Sequence, residues 1–444
     1  MLALPRSPRV RRIVLAYTVN RLGTWFGYVA LSIAVFDHTH SALAVAALLV
    51  AGQVLSAFLV PAVVARIEAH PARGGLTALY AFETIATVAL AAIVMVAFSL
   101  PAILVLVALD GTAALAASAL LRTAAARSAR EWAYAGEEPA PDSRPASPEL
   151  HTEEHELEGD GDGEDTALEG AALEAERVAN AALNIGFAIT FTLGPALAGV
   201  IVPAFGAPTA LFIDAASFLM CGALLLDLIP HVEDSEGSSV RERVAAARRY
   251  ITEAPTLRHL LAAEGVALAF FTFSGPVEVA YAKASLHAGD GGYGLLVGVW
   301  GLGVTIGSIV FARSIGRSLG TLLSSSTLAV GLAYIGWAVS PSLAIACVAG
   351  LVGGIGNGVQ WASLISAVQK LTPQPLHGRL MGAVESLGAI CPAIGFSAGG
   401  AIAVIASPRV AFLVAGIGAS VCTIAFLRLP RGELNQSLPG TASG

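Results

Sequence analysis

ERVANAALNIGFAITFTLGPALAGVIVPAFGAPTALFIDAASFLM, residues 176–220, is the stretch whose reading decides the fold. After Glu176 and Arg177, two apolar runs begin, 178–203 and 207–229, joined by the turn FGAP. Between 178 and 220 the one ionisable side chain is Asp214. A helix needs ~20 apolar residues to cross ~30 Å of hydrocarbon, and each run has that length. Helices close their own backbone hydrogen bonds in lipid. The alternation of a transmembrane barrel is absent. The stretch is a hairpin of two membrane helices.

Working outward, the pattern repeats. Residues 13–36, 42–65, 75–98, 101–121, 259–282, 293–312, 321–340, 342–368, 380–406 and 408–427 are equally long and almost free of charge. That makes twelve spans. Composition agrees, with 55% apolar and 13% charged residues against about 25% charged in soluble proteins. The expected fold is an all-α polytopic membrane protein with twelve transmembrane helices in two six-helix halves. The N-terminal RSPRVRRIVLAYTVNRLG has the basic start of a signal peptide. Its apolar run continues to about Phe36 without a clear small-residue cleavage site, so a retained first helix is expected. Cys221, Cys347, Cys391 and Cys422 each fall inside a span and read as small packing residues.

Lys and Arg set the orientation. With the N-terminus inside and twelve crossings, inside segments hold 22 of the 25 basic residues, and outside loops hold Lys283 and Arg409. Both termini are expected in the cytoplasm of a cell in its plasma or inner membrane.

The expected organisation is a first half over 1–229, a cytoplasmic linker over 230–257, a second half over 258–432 and a tail over 433–444. Ser239 and Glu242 have capping-box spacing, so the linker is expected to hold a basic amphipathic helix. The first half carries an acidic cytoplasmic insertion at 130–175, and residues 130–177 contain 16 of the chain's 32 acids. Such composition predicts disorder. Within it, His151 and His155 share a helix face and have weak metal-ligand spacing. The run from Glu158 to Glu169 has the spacing of a calcium loop with the wrong residues at two positions. No metal site is assigned.

Small residues pack helices in lipid. Gly194, Ala198 and Gly199 form one such set beside Pro195, which frees a backbone carbonyl. Gly350, Gly354 and Gly358 form another in span 10, near Asn357 and Gln360. Gly395-Phe396-Ser397-Ala398-Gly399 fits GxSxG, but it lies inside a span and reads as packing. There is no GxxxxGK[ST], HExxH or CxxC, so neither an enzyme nor a cofactor is expected.

At this point the opening stretch resembles helices five and six of the major facilitator superfamily, nearest its bacterial macrolide-type and enterobactin-type exporters. Gly194-Pro195-Ala196-Leu197-Ala198-Gly199 is similar to the superfamily's antiporter motif GPxxGG. Phe212-Ile213-Asp214-Ala215-Ala216-Ser217-Phe218 is similar to the branch's DAxSF element. Gly292 to Leu296 resembles its start of span 8, and Gln369 to Gly382, with Arg379, its turn between spans 10 and 11. The superfamily's GxxxDRxGRR loop corresponds to Pro61 through Arg66. Arg66 is kept, but Ala65 stands where the aspartate of the cytoplasmic latch belongs. The resemblance implies alternating access between the halves and places Arg66, Gly194, Pro195, Gly199, Asp214 and Arg379 among the gating and motif residues.

Charges at membrane depth cost ~2.5–3.5 kcal/mol on insertion scales and are functional suspects. They are Arg21, Glu83, Asp110, Asp214, Glu264, Glu278 and Glu385. Arg21 and Glu83 fall about 12 Å from the inner surface, and Asp110 about 13 Å from the outer one. Arg21 is expected within pairing distance of Glu83 or Asp110. Asp214 is expected near the outer end as a packing residue, and Glu264 is expected to reach toward the inner surface. Arg21, Glu83, Asp110, Glu278 and Glu385 are the proton-coupling candidates. Trp25, Tyr28, Phe270, Phe271, Phe273 and Trp361 could form an aromatic wall, with Asn184, Asn357 and Gln360 as polar cavity groups.

The function expected is proton-coupled efflux of amphipathic drugs or siderophore-like molecules by a monomer in lipid, with no nucleic-acid partner. The alternatives are an uptake or metabolite carrier of the same fold, or a non-transporting membrane sensor that uses the acidic loop.

Overall fold

The computed structural model describes residues 7–69, 75–135, 161–226, 228, 249–314, 316–372 and 377–428. The described residues form twelve long helices and no strand. The first six are α1 (Pro8–Thr39), α2 (Ala42–Leu49, Val50–Leu55 and Ser56–Ala69), α3 (Gly75–Val96), α4 (Leu100–Ala135), α5 (Gly161–Phe205) and α6 (Ala207–Leu224). The second six are α7 (Pro255–Phe271, Ser274–Ala280 and Tyr281–Ser285), α8 (Gly289–Ala312), α9 (Leu319–Val339), α10 (Leu343–Lys370), α11 (His377–Ile405) and α12 (Pro408–Leu427). Among the described residues, ten helices are long and apolar enough to cross a membrane on their own. α1 and α11 lie in the same bundle beside them. Large apolar side chains such as Val96, Phe205 and Ile405 cover the outside of the bundle, more than half exposed, as lipid-facing surface requires.

Two helices are locally irregular. In α2 a π turn runs through Val50–Leu55, a feature that often marks functional sites. In α7 the helix breaks at Thr272 and Phe273. Pro276 has no N–H to donate to the Thr272 carbonyl, which explains the break. Gly395 and Gly399 of α11 pack against that broken turn, at Ala269, Thr272 and Phe273. The GxSxG-like run is therefore a packing face, as its place inside a span requires.

Gly350, Gly354 and Gly358 also serve packing, but within the second half. A Cβ on Gly354 or Gly358 would strike the α8 backbone at Trp300 or Val304, and one on Gly350 would meet Trp337. They hold α8, α9 and α10 together and do not form a sliding face between halves. Trp337 is the hub of this region. Its ring is fully buried and meets Tyr281, Trp300, Tyr334 and Phe412, with centroids 4.9 to 6.1 Å apart. Its Nε1 donates to the Ala346 carbonyl at 2.7 Å. Trp337→Ala removes all of this and should cost about 3–5 kcal/mol. A thermal unfolding midpoint in detergent within a degree of wild type would contradict that.

At the end carrying both termini, two helices run past the expected span limits. α4 continues to Ala135 and α5 begins at Gly161, so both flanks of the 130–175 insertion are helical rather than disordered. Residues 136–160, with His151 and His155, lie outside the described residues. The ends are tied by Arg130 Nε to Glu176 at 2.9 Å, Arg127 Nε to Glu131 at 2.6 Å and Arg9 to Glu131 at 3.7 Å. Val10, Ala129 and Ala179 close a small apolar cluster beneath them. The Ser239 linker helix also lies outside the described residues, although 249–253 is helical.

Candidate functional site

The first half encloses a cavity of about 440 Å³, within the range of small-molecule sites. Arg21, Thr24, Trp25 and Tyr28 of α1 line it with Gln53 of α2, Thr87 of α3, Asp110 of α4, Phe187 of α5 and Asp214 of α6. Local structure sets each of these. The π turn brings Gly52 and Gln53 to the wall. There α2 and α4 touch backbone to backbone, since a Cβ on Gly111 would strike the Gly52 carbonyl. Gly23 and Gly27 leave the space that the Asp214 side chain fills. Asp214 lies seven residues into an 18-residue helix, so it sits near mid-span and not at the outer end.

Three carboxylates meet here. Glu83 is fully buried and stands within electrostatic reach of Asp110, Asp214 and Arg21. Both Glu83 oxygens, Asp110 Oδ1 and Asp214 Oδ1 are buried without a hydrogen-bond partner. Arg21 forms no ion pair with any of them. Its Nη2 donates to Ser118 Oγ at 3.4 Å, and its guanidinium lies over the Tyr17 and Phe187 rings at 5.4 and 5.7 Å. The expected Arg21 pairing is thus replaced by a cation held on aromatic faces. One guanidinium faces three carboxyl groups. Ionised carboxylates without donors are strongly disfavoured away from water, so the site suits protons or a bound cation.

The remaining sequence candidates fall elsewhere. Trp25 and Tyr28 form an edge-to-face pair on the wall, with Phe191 against Trp25. Phe271 and Phe273 are buried in the packed core, and Phe270 lies against Gly418. Trp361 is half exposed on the bundle surface. Asn184 is exposed and Asn357 half-buried, and neither lines the cavity. Glu264 is buried, at 3% exposure, and accepts from Gln360 Nε2 at 3.0 Å. It does not reach the surface, because the α10 amide satisfies it in place. Arg66 is exposed. The side chains of Pro61, Ala65, Arg379 and Glu385 lie outside the described residues. Sequence reasoning missed Thr24, Gln53 and Thr87. Gly52 before Gln53 was the one local signal.

The motif glycines of α5 divide between two partners. Gly194 packs on Trp25 of α1, inside the first half. Gly199 packs on Gly294 of α8, across the halves. The same seam continues through Ala196 against Gly298 to Thr192, whose Oγ1 lies 2.9 Å from Thr305 Oγ1. At the end of the bundle away from the termini, α11 meets α2 at Gly400 and Ala46. Lys283 of α7 pairs there with Asp37 of α1 and, at 2.5 Å, with Asp290 of α8. These contacts between halves gather from mid-bundle to that distal end. These pairs are partly buried, with the Lys283 side chain 18% and that of Asp290 24% exposed. Lys283→Met leaves two carboxylates there without their cation, so it should slow transport by up to roughly tenfold without abolishing it. A total loss would show that the pair carries the closure, contrary to the glycine seam.

Residues 167–441 match the sequence model of the family described as "Transmembrane secretion effector", a branch of the major facilitator superfamily. The chain belongs to this family. It is a multi-pass membrane transporter of the major facilitator type. No curated protein matches it by sequence at a significant level. Among solved structures it is similar to the nucleoside transporter NupG, at 12% identity and TM-score 0.69, covering 95% of this chain and 99% of that one. It is also similar to a POT family transporter in complex with 5-aminolevulinic acid, at 13% identity, TM-score 0.65 and coverage of 96% and 97%. A bacterial homologue of the iron transporter ferroportin, in its inward-facing state, aligns at 15% identity, TM-score 0.63 and coverage of 95% and 98%. These likenesses establish a shared fold.

Proposed function

We propose that this transporter exports amphipathic small molecules, cationic ones foremost, in exchange for protons, in the plasma or inner membrane with both termini in the cytoplasm. The observation that carries the reading is the cavity, lined by Asp110, Asp214 and Arg21 beside Trp25 and Tyr28, with the buried Glu83 within electrostatic reach and unpartnered oxygens on all three carboxyl groups. A cation with an apolar body fits such a wall. It and protons compete for the same carboxylates, and that competition is what exchange needs. The split of basic residues supports termini inside. In that orientation the seam described above closes the outer side, and the cavity belongs to an inward-facing state of an alternating-access cycle.

Proteoliposomes with an acidic lumen test the reading, using ethidium as probe. Inverted vesicles should accumulate the dye, and dissipating the gradient should release it. Accumulation driven instead by an alkaline lumen, with protons and dye entering together, would assign proton-coupled uptake. Failure to move ethidium, a macrolide or a catechol siderophore, with tight binding of none, would favour a sensor.

A further inference from the structure

Arg21 is the one cation among the residues that line the cavity, and proton exchange does not need it. Asp110 and Asp214 line the same cavity, yet Arg21 forms an ion pair with neither. Among the described residues its hydrogen bonding is limited to Ser118 Oγ, reached from Nη2 at a long 3.4 Å. Two rings hold the guanidinium instead, with Tyr17 and Phe187 centred 5.4 and 5.7 Å from its Cζ. An aromatic face attracts a guanidinium and leaves most of its N–H donors unused.

The Tyr17 ring is itself fixed. It is 1% exposed, and its hydroxyl accepts from Arg122 Nη2 at 3.0 Å. The Arg122 Cζ lies 5.5 Å from the same ring. Two guanidiniums therefore share one ring, and among the described residues neither has a carboxylate in an ion pair. A shelf of rings leads to this positive corner. Tyr28, Trp25, Phe191 and Phe187 follow one another with centroids 5.5, 5.1 and 5.7 Å apart, and Arg21 stands against the last of them. The carboxylates come from other helices, Asp110 from α4 and Asp214 from α6.

We propose that Arg21 is an anion subsite of the cavity, and that the substrates held best are amphipathic zwitterions, with a flat apolar body, a cationic nitrogen and a carboxylate. The proposal rests on the exchange reading above and narrows its substrate class. The body stacks on the shelf of rings. The cationic end meets Asp110 and Asp214, where it competes with protons. The carboxylate meets Arg21, whose planar fork of donors can bind both of its oxygens. The rings already hold the guanidinium, so no ion pair has to be broken first, and such preorganisation favours binding. A purely cationic molecule leaves this corner to water and meets a like charge there. A purely anionic one meets Asp110 and Asp214.

Rhodamine 110 and rhodamine 123 provide the test. They share one flat cationic dye body, and rhodamine 123 is the methyl ester of the rhodamine 110 carboxyl group. At neutral pH the first is a zwitterion and the second a cation. Fluorescence polarisation with the detergent-purified, full-length protein gives both affinities. Wild type should prefer rhodamine 110 by about tenfold or more, the scale of one charge-assisted contact. Arg21→Gln should bring the ratio of affinities to about one, since no cation is left for the carboxylate. Arg21→Lys should hold an intermediate ratio, because an ammonium keeps the charge without the fork. A residue that only supports the fold would weaken both dyes alike and leave the ratio as it was.

Equal affinities in wild type would overturn the proposal, as would an Arg21→Gln protein that keeps the wild-type ratio or a wild-type protein that binds neither dye. Asp110→Asn removes a charge facing the cation common to both dyes, so it should weaken both and preserve the preference. Affinities that tighten as pH rises, without a preference for rhodamine 110, would leave exchange standing and refute the anion subsite. A preference that follows Arg21, with both affinities indifferent to pH, would support the subsite and refute exchange.

Discussion

Asp110→Asn should lower proton-driven accumulation of a cationic substrate by about tenfold at a one-unit pH gradient while leaving downhill movement in place. Asn keeps the size and polarity of Asp but cannot take up or release a proton. Each coupled proton contributes about tenfold accumulation per unit of pH gradient, since one pH unit equals ~1.36 kcal/mol. Removing one should therefore lower the accumulation ratio by about tenfold at a one-unit gradient. Asp110 and Asp214 both line the cavity with an unpartnered oxygen, and Asp110 is the choice because Asp214 also fills the notch at Gly23 and Gly27, where a change would disturb packing. Glu83→Gln lies deeper and should give a similar loss with less change in substrate affinity. Dye accumulation at equal expression is the measurement. A variant that accumulates as wild type does would remove Asp110 from the exchange.

Gly294→Leu should have the second-largest effect, on the conformational equilibrium. At this point α8 and α5 meet backbone to backbone, and a Cβ built on Gly199 would stand 2.6 Å from the Gly294 α-carbon. A leucine cannot be housed without parting the helices. Overpacking costs about 1–3 kcal/mol, and the whole of it falls on the state with the distal end closed. The closed-to-open ratio should then fall about 5- to 150-fold. Thiol labelling of a cysteine placed in the distal seam should accelerate accordingly, and transport should slow because the closed state becomes rare. Gly170→Leu is the control, since nothing lies within 4 Å of a Cβ there. Equal labelling rates in wild type and Gly294→Leu would show that the seam is not where the halves part.

The span pattern could be read from sequence because lipid leaves few choices. A run such as 178–203 has no means of satisfying its backbone except as a helix. The site was only half legible. Depth along a helix follows from counting, so similar depths for Arg21, Glu83 and Asp110 can be expected, but the pairing of Arg21 with either carboxylate cannot. Rotation about the helix axis does not follow from counting. Packing decides it, which is why Trp25 and Tyr28 reach the cavity while Phe271 is buried in the core and Trp361 faces outward. Asp214 was assigned to the outer end from its motif, but the notch at Gly23 and Gly27 turns it into the cavity. Gly52 alone signals the π turn that presents Gln53. The helix α5 begins at Gly161, inside the acidic segment. Its alanines and glutamates at 167–182 are strong helix formers, and Arg130 meets Glu176 across the hairpin.

In the proposed cycle protons and a cationic substrate compete for the first-half carboxylates, and the pH dependence of ethidium binding to the detergent-purified protein reads that competition most directly. Affinity should tighten as pH rises, by up to about tenfold per pH unit for each proton displaced. The triple variant Glu83→Gln, Asp110→Asn, Asp214→Asn should bind weakly and with no pH dependence. Ethidium affinity that is flat across pH in the wild-type protein, or a triple variant that titrates as wild type does, would contradict the account.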